Sequence, residues 1–255
     1  MKLDNLLAID SSTDRLSLAV QRAGRVYAFD GEGGAAASAT MLARIAELLA
    51  QADLTVGDLD AVAFGQGPGA FTGLRAACAV AQGLAVSARV GGMPVVPINT
   101  LMACAQAART ATNAQAPLLI AACMDARMNE VYTAAYQFNA PDGSDTLPTE
   151  IMAPALCKPD QVWSVHAQAT TFAGNALAVY GDALGAAPTA VPWCAAMPTA
   201  TALLALVPAV CAAGGAVPAA LARPLYVRDK VAQTTAERMA LKALQAAQAS
   251  QASDQ

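Results

Sequence analysis

The amino-acid sequence predicts an α/β protein of two lobes, each with a mixed β-sheet flanked by helices. Short apolar runs typical of buried strands alternate with amphipathic segments typical of helices that cover a sheet. An apolar strand that ends in aspartate and continues into a hairpin begins at Leu6 and again at Leu118. The 255 residues are enough for two modest lobes with a sizeable core.

The first half of the chain is predicted as a strand meander followed by alternating helices and strands. Met41 and Ile45 begin an apolar stripe that recurs every three to four residues through Leu49, which predicts an amphipathic helix over residues 40–51. The other elements are strands at residues 6–10, 16–20, 25–29, 61–64 and 95–98, and helices at 72–86 and 101–108.

The second half repeats the start of the first, because a strand ending at Asp125 again runs into a hairpin. The predicted elements are strands at residues 118–124, 130–138 and 171–174, a loop-rich segment at 141–159, and a helix from about Thr199 that contains Pro208. We expect an N-terminal lobe over residues 1–100 and a C-terminal lobe over 101–235. Residues 236–255 are rich in alanine, glutamine and serine and are expected to fray.

The composition argues against a direct nucleic-acid binder. Charged residues make up 13% of the chain and the formal net charge is −4, whereas such binders usually carry a basic patch or a high isoelectric point. Any contact with RNA is therefore expected to come mainly through a partner.

The sequence also predicts a cytoplasmic protein that does not enter a membrane. The six cysteines are scattered without a Cys-x-x-Cys pair and are expected to be free thiols. No signal peptide is visible, because Asp10 interrupts the first apolar run. The uncharged segment 183–222 is broken by prolines, and its apolar part, residues 203–210, is far shorter than the about 20 residues that a span needs.

A glycine-rich loop is the most distinctive local feature of the chain. Three glycines surround Pro68 in a tight turn, and Thr72 is placed to cap the following helix. Glycine is needed where φ is positive or where another backbone approaches closely. A loop before a helix could hold a phosphate, but the phosphate-binding fingerprints do not match, so a structural turn is favoured over ligand binding. The loop residues that we single out are Gly65, Gly67, Pro68, Gly69, Gly73 and Arg75.

Two short polar segments follow the repeated strands. Asp10, Ser12 and Thr13 could hold a phosphate or a water bound to Mg²⁺, or they could cap the tight turn of the hairpin, which is the favoured interpretation. Asp125 and Arg127 are interpreted in the same way, as a local ion pair in a hairpin turn.

No constellation typical of a hydrolase or a metal site is found. His166 is the single histidine, and the sequence has no Gly-x-Ser-x-Gly nucleophile elbow. One histidine and dispersed cysteines give no metal-ligand spacing. His166 is therefore expected to be a surface or packed residue, and no catalytic residue, metal ligand or cofactor is assigned.

The loop Gly-Gln-Gly-Pro-Gly-Ala-Phe-Thr-Gly-Leu-Arg at residues 65–75 resembles the signature of the bacterial TsaB (YeaZ) family. Three further segments agree in order, at residues 6–13, 124–132 and 223–228. The resemblance thus covers almost the whole chain except its tail. The family works in the threonylcarbamoyladenosine (t6A) modification of tRNA.

The resemblance implies the actin-like/Hsp70-like/sugar-kinase (ASKHA) fold, in which nucleotide binds between two lobes. Asp10, Ser12 and Thr13 would then be the remnant of a phosphate loop. The catalytic paralogue TsaD binds metal through a His-x-x-x-His pair, and this chain has no such pair. Many family members keep a histidine before the first amphipathic helix, where this chain has Ala35, Ala36 and Ala37. An older description of the family as glycoproteases therefore finds no support.

The resemblance further implies a non-catalytic subunit that binds and activates TsaD in a heterodimer. TsaD transfers threonylcarbamoyl to N6 of adenosine 37 in tRNAs that read codons beginning with A. The ATPase TsaE would be a third partner, and the same surface could support a homodimer. The competing interpretation is an autonomous nucleotide-dependent enzyme, an ATPase or a small-molecule kinase, using Asp10, Ser12 and Asp125. The expected interface lies on the helices at 40–51 and 72–86 and includes Met41, Ile45, Thr72, Ala76, Ala79 and Gly83.

Overall fold

The computed structural model describes residues 3–33, 35–112, 117–140, 146–188 and 191–228. The described residues up to Leu225 form one compact unit, and the described residues 226–228 are not part of it. The tail predicted at residues 236–255 lies outside the described residues.

The first sheet has five strands in the order β3-β2-β1-β4-β5. The strands are β1 (Asn5–Asp10), β2 (Arg15–Arg22), β3 (Arg25–Glu32), β4 (Ala61–Gly67) and β5 (Val95–Asn99). The meander β1-β2-β3 is antiparallel, whereas β4 pairs parallel to β1 and β5 parallel to β4. The carboxyl ends of β1 and β4 therefore meet, which brings Asp10 beside the glycine loop.

The second sheet repeats this arrangement in the order β10-β9-β6-β7-β8. Its strands are β6 (Leu118–Asp125), β7 (Val131–Phe138), β8 (Thr149–Cys157), β9 (Thr171–Ala173) and β10 (Trp193–Cys194). The meander β6-β7-β8 is again antiparallel, and β9 and β10 again continue it in parallel. The repeat confirms the predicted fold class of mixed sheets. The prediction of a loop over residues 141–159 was wrong where strand β8 lies. This strand contains Pro154, which is tolerated because β8 is at the edge of its sheet.

The described α-helices are α1 (Ala35–Gln51), α2 (Phe71–Ala88), α3 (Thr100–Thr112), α4 (Val162–Val165), α5 (Ala176–Tyr180) and α6 (Ala200–Ala212). Helix α6 begins where the sequence predicted, and the Thr199 hydroxyl caps it by accepting a hydrogen bond from the Ala202 N–H at 3.2 Å. Helix α2 is the one described helix that is long and apolar enough to cross a bilayer. Its buried side packs against the first sheet, so we interpret it as a core helix of the lobe.

Both faces of the first sheet are covered, because alternate residues of β1 point in opposite directions. Leu7 and Ile9 pack with α1 and α2. Leu6 and Ala8 pack with α6, so this late helix lies on the first sheet although it was expected in the second lobe. Helix α3 packs chiefly against β6 and β7 of the second sheet. The lobe boundary at residue 100 stays a prediction.

Candidate partner-binding surface and glycine loop

The glycines of the loop between β4 and α2 are required for different reasons. Gly67 has a φ of +121°, in the region that favours glycine, and precedes the cis bond to Pro68. Gly69 is required by close approach, because a Cβ atom there would lie closer than 3.0 Å to the Ser12 carbonyl oxygen. The loop is also held from outside, since the Leu225 N–H donates to the Gln66 carbonyl at 2.6 Å.

The turn after β1 packs directly onto the start of α2. The Ser11 hydroxyl donates to the Gly73 carbonyl at 2.7 Å, and the Ala70 N–H donates to the Ser12 carbonyl at 2.7 Å. A Cβ atom at Gly73 would overlap the Ser11 carbonyl oxygen. The beginning of the helix therefore occupies the space beside the polar turn, and both serines are buried.

Asp10 is enclosed at the centre of this contact, with 1% of its surface exposed. Its Oδ1 atom accepts hydrogen bonds from the Ser12 N–H at 3.1 Å and the Ser12 hydroxyl at 2.8 Å. Its Oδ2 atom is buried with no hydrogen-bond partner among the described residues. A Cβ atom at Gly65 would overlap this oxygen, so glycine leaves it room. Burial raises the pKa of Asp10 to about 6, against an ordinary value of 3.8.

The geometry favours a structural role for the candidate phosphate residues. Ser12 is engaged with Asp10, and the Thr13 hydroxyl accepts the Arg15 N–H at 3.1 Å within the same turn. Mg²⁺ needs several open oxygen ligands. No group of three or more His, Cys, Asp or Glu side chains that could hold a metal is present in the part of the chain that the structure describes.

The outward face of helix α2 contains several small residues and almost no charge. The exposed positions fall three or four residues apart, which places them on one side of the helix. They include Thr72, Arg75, Ala79 and Gly83, while Ala76 is half-buried. A Cβ atom at Gly83 would meet no heavy atom within 4 Å, so this part of the face is open. Thr72 is not the cap that we predicted, because the helix begins one residue earlier and Ala70 is its N-cap.

The assignment of Met41 and Ile45 to a partner surface was wrong. Their side chains are 0% and 2% exposed and belong to the chain's own core, together with strand residues such as Leu18. Helix α1 instead exposes Leu42, 55% accessible, along with Ala43 and Ala46. The sequence already indicated this burial, because the apolar stripe that begins at Met41 is the side of the helix that packs on the sheet.

Arg75 also lies outside the glycine loop to which we had assigned it. It lies in α2 rather than in the loop, and its guanidinium stacks 3.8 Å from the ring centroid of Phe71, which is 37% exposed. Farther along, Val86 is 67% exposed and extends the outward face as an apolar surface. Sequence reasoning missed Phe71 and Val86, although both occur at the helical spacing of the face.

The second hairpin turn is strained and carries a local ion pair, as expected. Arg127, Met128 and Asn129 all have positive φ values between 56° and 61°. The Arg127 guanidinium lies 3.1 Å from Asp125 Oδ2, and the Tyr180 hydroxyl donates to Asp125 Oδ1 at 2.7 Å. Asp125 is thus used to hold the turn.

His166 is a packed residue. It is 5% exposed, and its Nε2 atom is hydrogen-bonded to the hydroxyl of the buried Thr133. Burial lowers the pKa of His166 to about 4. At neutral pH the imidazole is therefore uncharged, and it has no carboxylate hydrogen-bond partner among the described residues.

Comparison with known proteins places this fold and loop in a family. A family model described as TsaD, tRNA N6-adenosine threonylcarbamoyltransferase, matches residues 35–236. The solved structure of YeaZ from Pseudomonas aeruginosa is 32% identical and superposes with a TM-score of 0.75, covering 87% of this chain and 99% of that one. This chain belongs to the TsaB/YeaZ family.

Curated members of the family carry a functional name. The proteins from Haemophilus influenzae and Escherichia coli K12 are each called tRNA threonylcarbamoyladenosine biosynthesis protein TsaB. Each is 37% identical to this chain, over 159 and 132 residues respectively. The matches cover 61% and 52% of this chain and 65% and 54% of those TsaB proteins. The chain thus spans about half to two thirds of the length of these curated relatives.

Proposed function

We propose that this chain acts in tRNA threonylcarbamoyladenosine biosynthesis as a TsaB-type subunit that binds and activates a TsaD paralogue. TsaD would transfer threonylcarbamoyl to N6 of adenosine 37 in tRNAs that read codons beginning with A. The observation that carries the proposal is membership of the TsaB/YeaZ family, whose curated members bear the biosynthetic name.

The outward face of α2, with the exposed side of α1, is the proposed TsaD contact. Ala79 and Gly83 are exposed and small, so the backbone of a partner helix could approach closely, while Leu42 and Val86 supply apolar surface. Arg75 is the one charged residue within α2, so this helix would bring little charge to be desolvated into the contact. Apolar exposed patches of this kind mark protein–protein contacts.

The proposed subunit has no catalytic activity of its own. Asp10 and Ser12 are closed off by the start of α2, and His166 is buried against Thr133. Substrate tRNA would be met mainly through TsaD, in keeping with the net charge of −4. The proposal further includes TsaE as the ATPase partner, a cytoplasmic location, and a homodimer through the α2 face when TsaD is absent.

Ala79→Arg tests the contact. An arginine at this exposed position should leave the fold intact but prevent close helix packing, because a buried unpaired charge costs several kcal/mol. Ala186→Arg, an exposed position remote in sequence from α2, is the matched control. Circular dichroism would check the fold, and gel filtration with TsaD would measure association. If folded Ala79→Arg co-elutes with TsaD as the control does, α2 is not the contact.

Reconstitution tests the activity itself. Modification of tRNA by TsaD and TsaE should require this chain, and the isolated chain should hydrolyse negligible ATP. The alternative, an autonomous nucleotide-dependent enzyme, predicts metal-dependent turnover by the isolated chain that Asp10→Ala abolishes. That result would overturn the proposal.

A further inference from the structure

The side of the second sheet that faces away from α3 is only partly covered. Alternate residues of β6 point to opposite faces, and Ala121 and Cys123 are on the side away from α3. The described α-helices on this side, α4 and α5, have four and five residues, whereas those on the first sheet have thirteen to eighteen. A cavity therefore remains between the sheet and the chain that follows α4.

The size and lining of this cavity suit a small uncharged molecule. Its volume is about 350 Å³, within the range of small-molecule sites. One apolar side chain from each of the three antiparallel strands forms its floor, namely Leu119, Ala135 and Met152. Residues 164–169, from the end of α4 onward, form its wall. None of the described residues that line the cavity carries a charge at neutral pH.

His166 supplies a polar group inside this cavity. The imidazole is 5% exposed, and its Nε2 atom is hydrogen-bonded to Thr133 Oγ1. Its Nδ1 atom has no hydrogen-bond partner among the described residues. That atom is nevertheless not fully enclosed by protein, so the open cavity reaches it. The unpartnered nitrogen is thus the part of the ring that a molecule in the cavity would meet.

The contacts of Thr133 determine whether Nδ1 donates or accepts. Thr133 Oγ1 also lies 3.4 Å from Cys123 Sγ, and burial raises the pKa of this thiol, so the thiol stays protonated at neutral pH. If the thiol donates to Thr133 and the Thr133 hydroxyl donates to Nε2, both buried hydrogens have an acceptor. The reverse direction would leave the thiol hydrogen without an acceptor among the described residues. This chain of hydrogen bonds therefore assigns the proton of the imidazole to Nδ1, which is a donor.

We propose that this cavity binds a small uncharged amide, a carboxamide with an apolar substituent, whose carbonyl accepts a hydrogen bond from the Nδ1–H of His166. The substituent would lie on the apolar floor. Ser164 and Gln168 are exposed at the rim, and each has an oxygen that can accept a hydrogen bond from the amide N–H. A carboxylate is disfavoured, because the uncharged lining would not compensate its charge. The site shares no residue with the outward face of α2.

Nuclear magnetic resonance can test the site directly, because His166 is the single histidine of the chain. A proton–nitrogen correlation spectrum of the imidazole should show the Nδ1–H tautomer. Benzamide should bind with a dissociation constant on the order of 1 mM and shift the nitrogen signal of Nδ1, whereas toluene, which has no acceptor, should leave that signal in place. Benzoate, similar in shape but charged, should bind about tenfold more weakly. An Nε2–H tautomer, a benzamide titration without saturable shifts or without movement of Nδ1, or equal binding of benzoate would overturn the proposal.

Ala135→Leu tests where the amide binds, because the larger side chain would fill the floor of the cavity. Ala153→Leu, at an exposed position of β8 that does not line the cavity, is the matched control. The affinity for benzamide should fall about tenfold or more in folded Ala135→Leu and stay at the wild-type value in the control. If folded Ala135→Leu binds benzamide like the wild type, the assignment to this cavity is wrong. The wild-type spectra need no substitution, so they decide the question if Ala135→Leu does not fold.

Discussion

Replacing Asp10 by asparagine should make this protein less sensitive to pH. Asparagine keeps the Oδ1 acceptor for the Ser12 N–H and hydroxyl but carries no charge. In the wild type, burial raises the pKa of Asp10 from 3.8 to about 6, so ionisation of this side chain opposes folding.

The sign and size of this pH effect follow from the linkage between protonation of Asp10 and folding. A group whose pKa is higher in the folded than in the unfolded chain stabilises the fold while it is protonated. The contribution of Asp10 is therefore fully present below its unfolded pKa of 3.8 and is lost as the pH rises through about 6. A shift of about two pKa units, at about 1.4 kcal/mol each, corresponds to about 3 kcal/mol.

Urea unfolding at several pH values from 4 to 7 would measure the effect. The free energy of unfolding of Asp10→Asn should gain about 2.4 kcal/mol on that of the wild type between pH 4 and pH 7, because part of the full effect already lies below pH 4. Any destabilisation by the amide that does not depend on pH cancels, because only the change of the unfolding free energy with pH is compared. Asp30→Asn, on the exposed edge of β3, controls for loss of a carboxylate. If the free energies of unfolding of Asp10→Asn and the wild type differ by the same amount at pH 4 and pH 7, burial does not raise the pKa of Asp10 and this reasoning is wrong.

Two glycine substitutions should act in opposite directions. Gly69→Val should destabilise the chain by about 2–3 kcal/mol, because the new side chain meets the Ser12 carbonyl; an unchanged melting temperature would contradict the close contact. Gly83→Ala should stabilise the isolated chain by about 0.5–1 kcal/mol, because helix propensity improves and the space is open. Denaturant unfolding measures both, and a destabilised Gly83→Ala would mean that this face is covered in the free protein.

The sequence was most informative where a pattern is local. The two strand–aspartate–hairpin segments predicted the repeated sheet, because alternation and a turn residue are enough to define a hairpin. Strand β8 was missed because Pro154 indicates a loop, and only the sheet reveals that this strand lies at an edge. The return of α6 to the first sheet was missed as well, because packing between distant segments leaves no periodic signal.

The partner surface shows why composition limits such predictions. Helix α2 buries Ala77 and Ala81 and exposes Ala79 and Gly83, so small residues occur on both of its faces. The alanines and glycines alone do not tell the two faces apart, and the outward face became visible only in the structure. On α1 the pattern was strong, but a strong apolar stripe identifies the core, and Met41 belongs there.

The position of α6 has a consequence for how the protein is made. The Ala200 N–H bonds the Ser17 hydroxyl of β2, 183 positions earlier in the chain, and α6 covers the apolar side of β1 that includes Leu6 and Ala8. A ribosome adding about 5–20 residues per second needs on the order of ten seconds to go from β5 to the end of α6. During that interval the emerging first sheet has one uncovered apolar face. We therefore expect a nascent chain that stops at residue 112 to bind chaperones or aggregate, and one that extends past residue 212 to become protease-resistant.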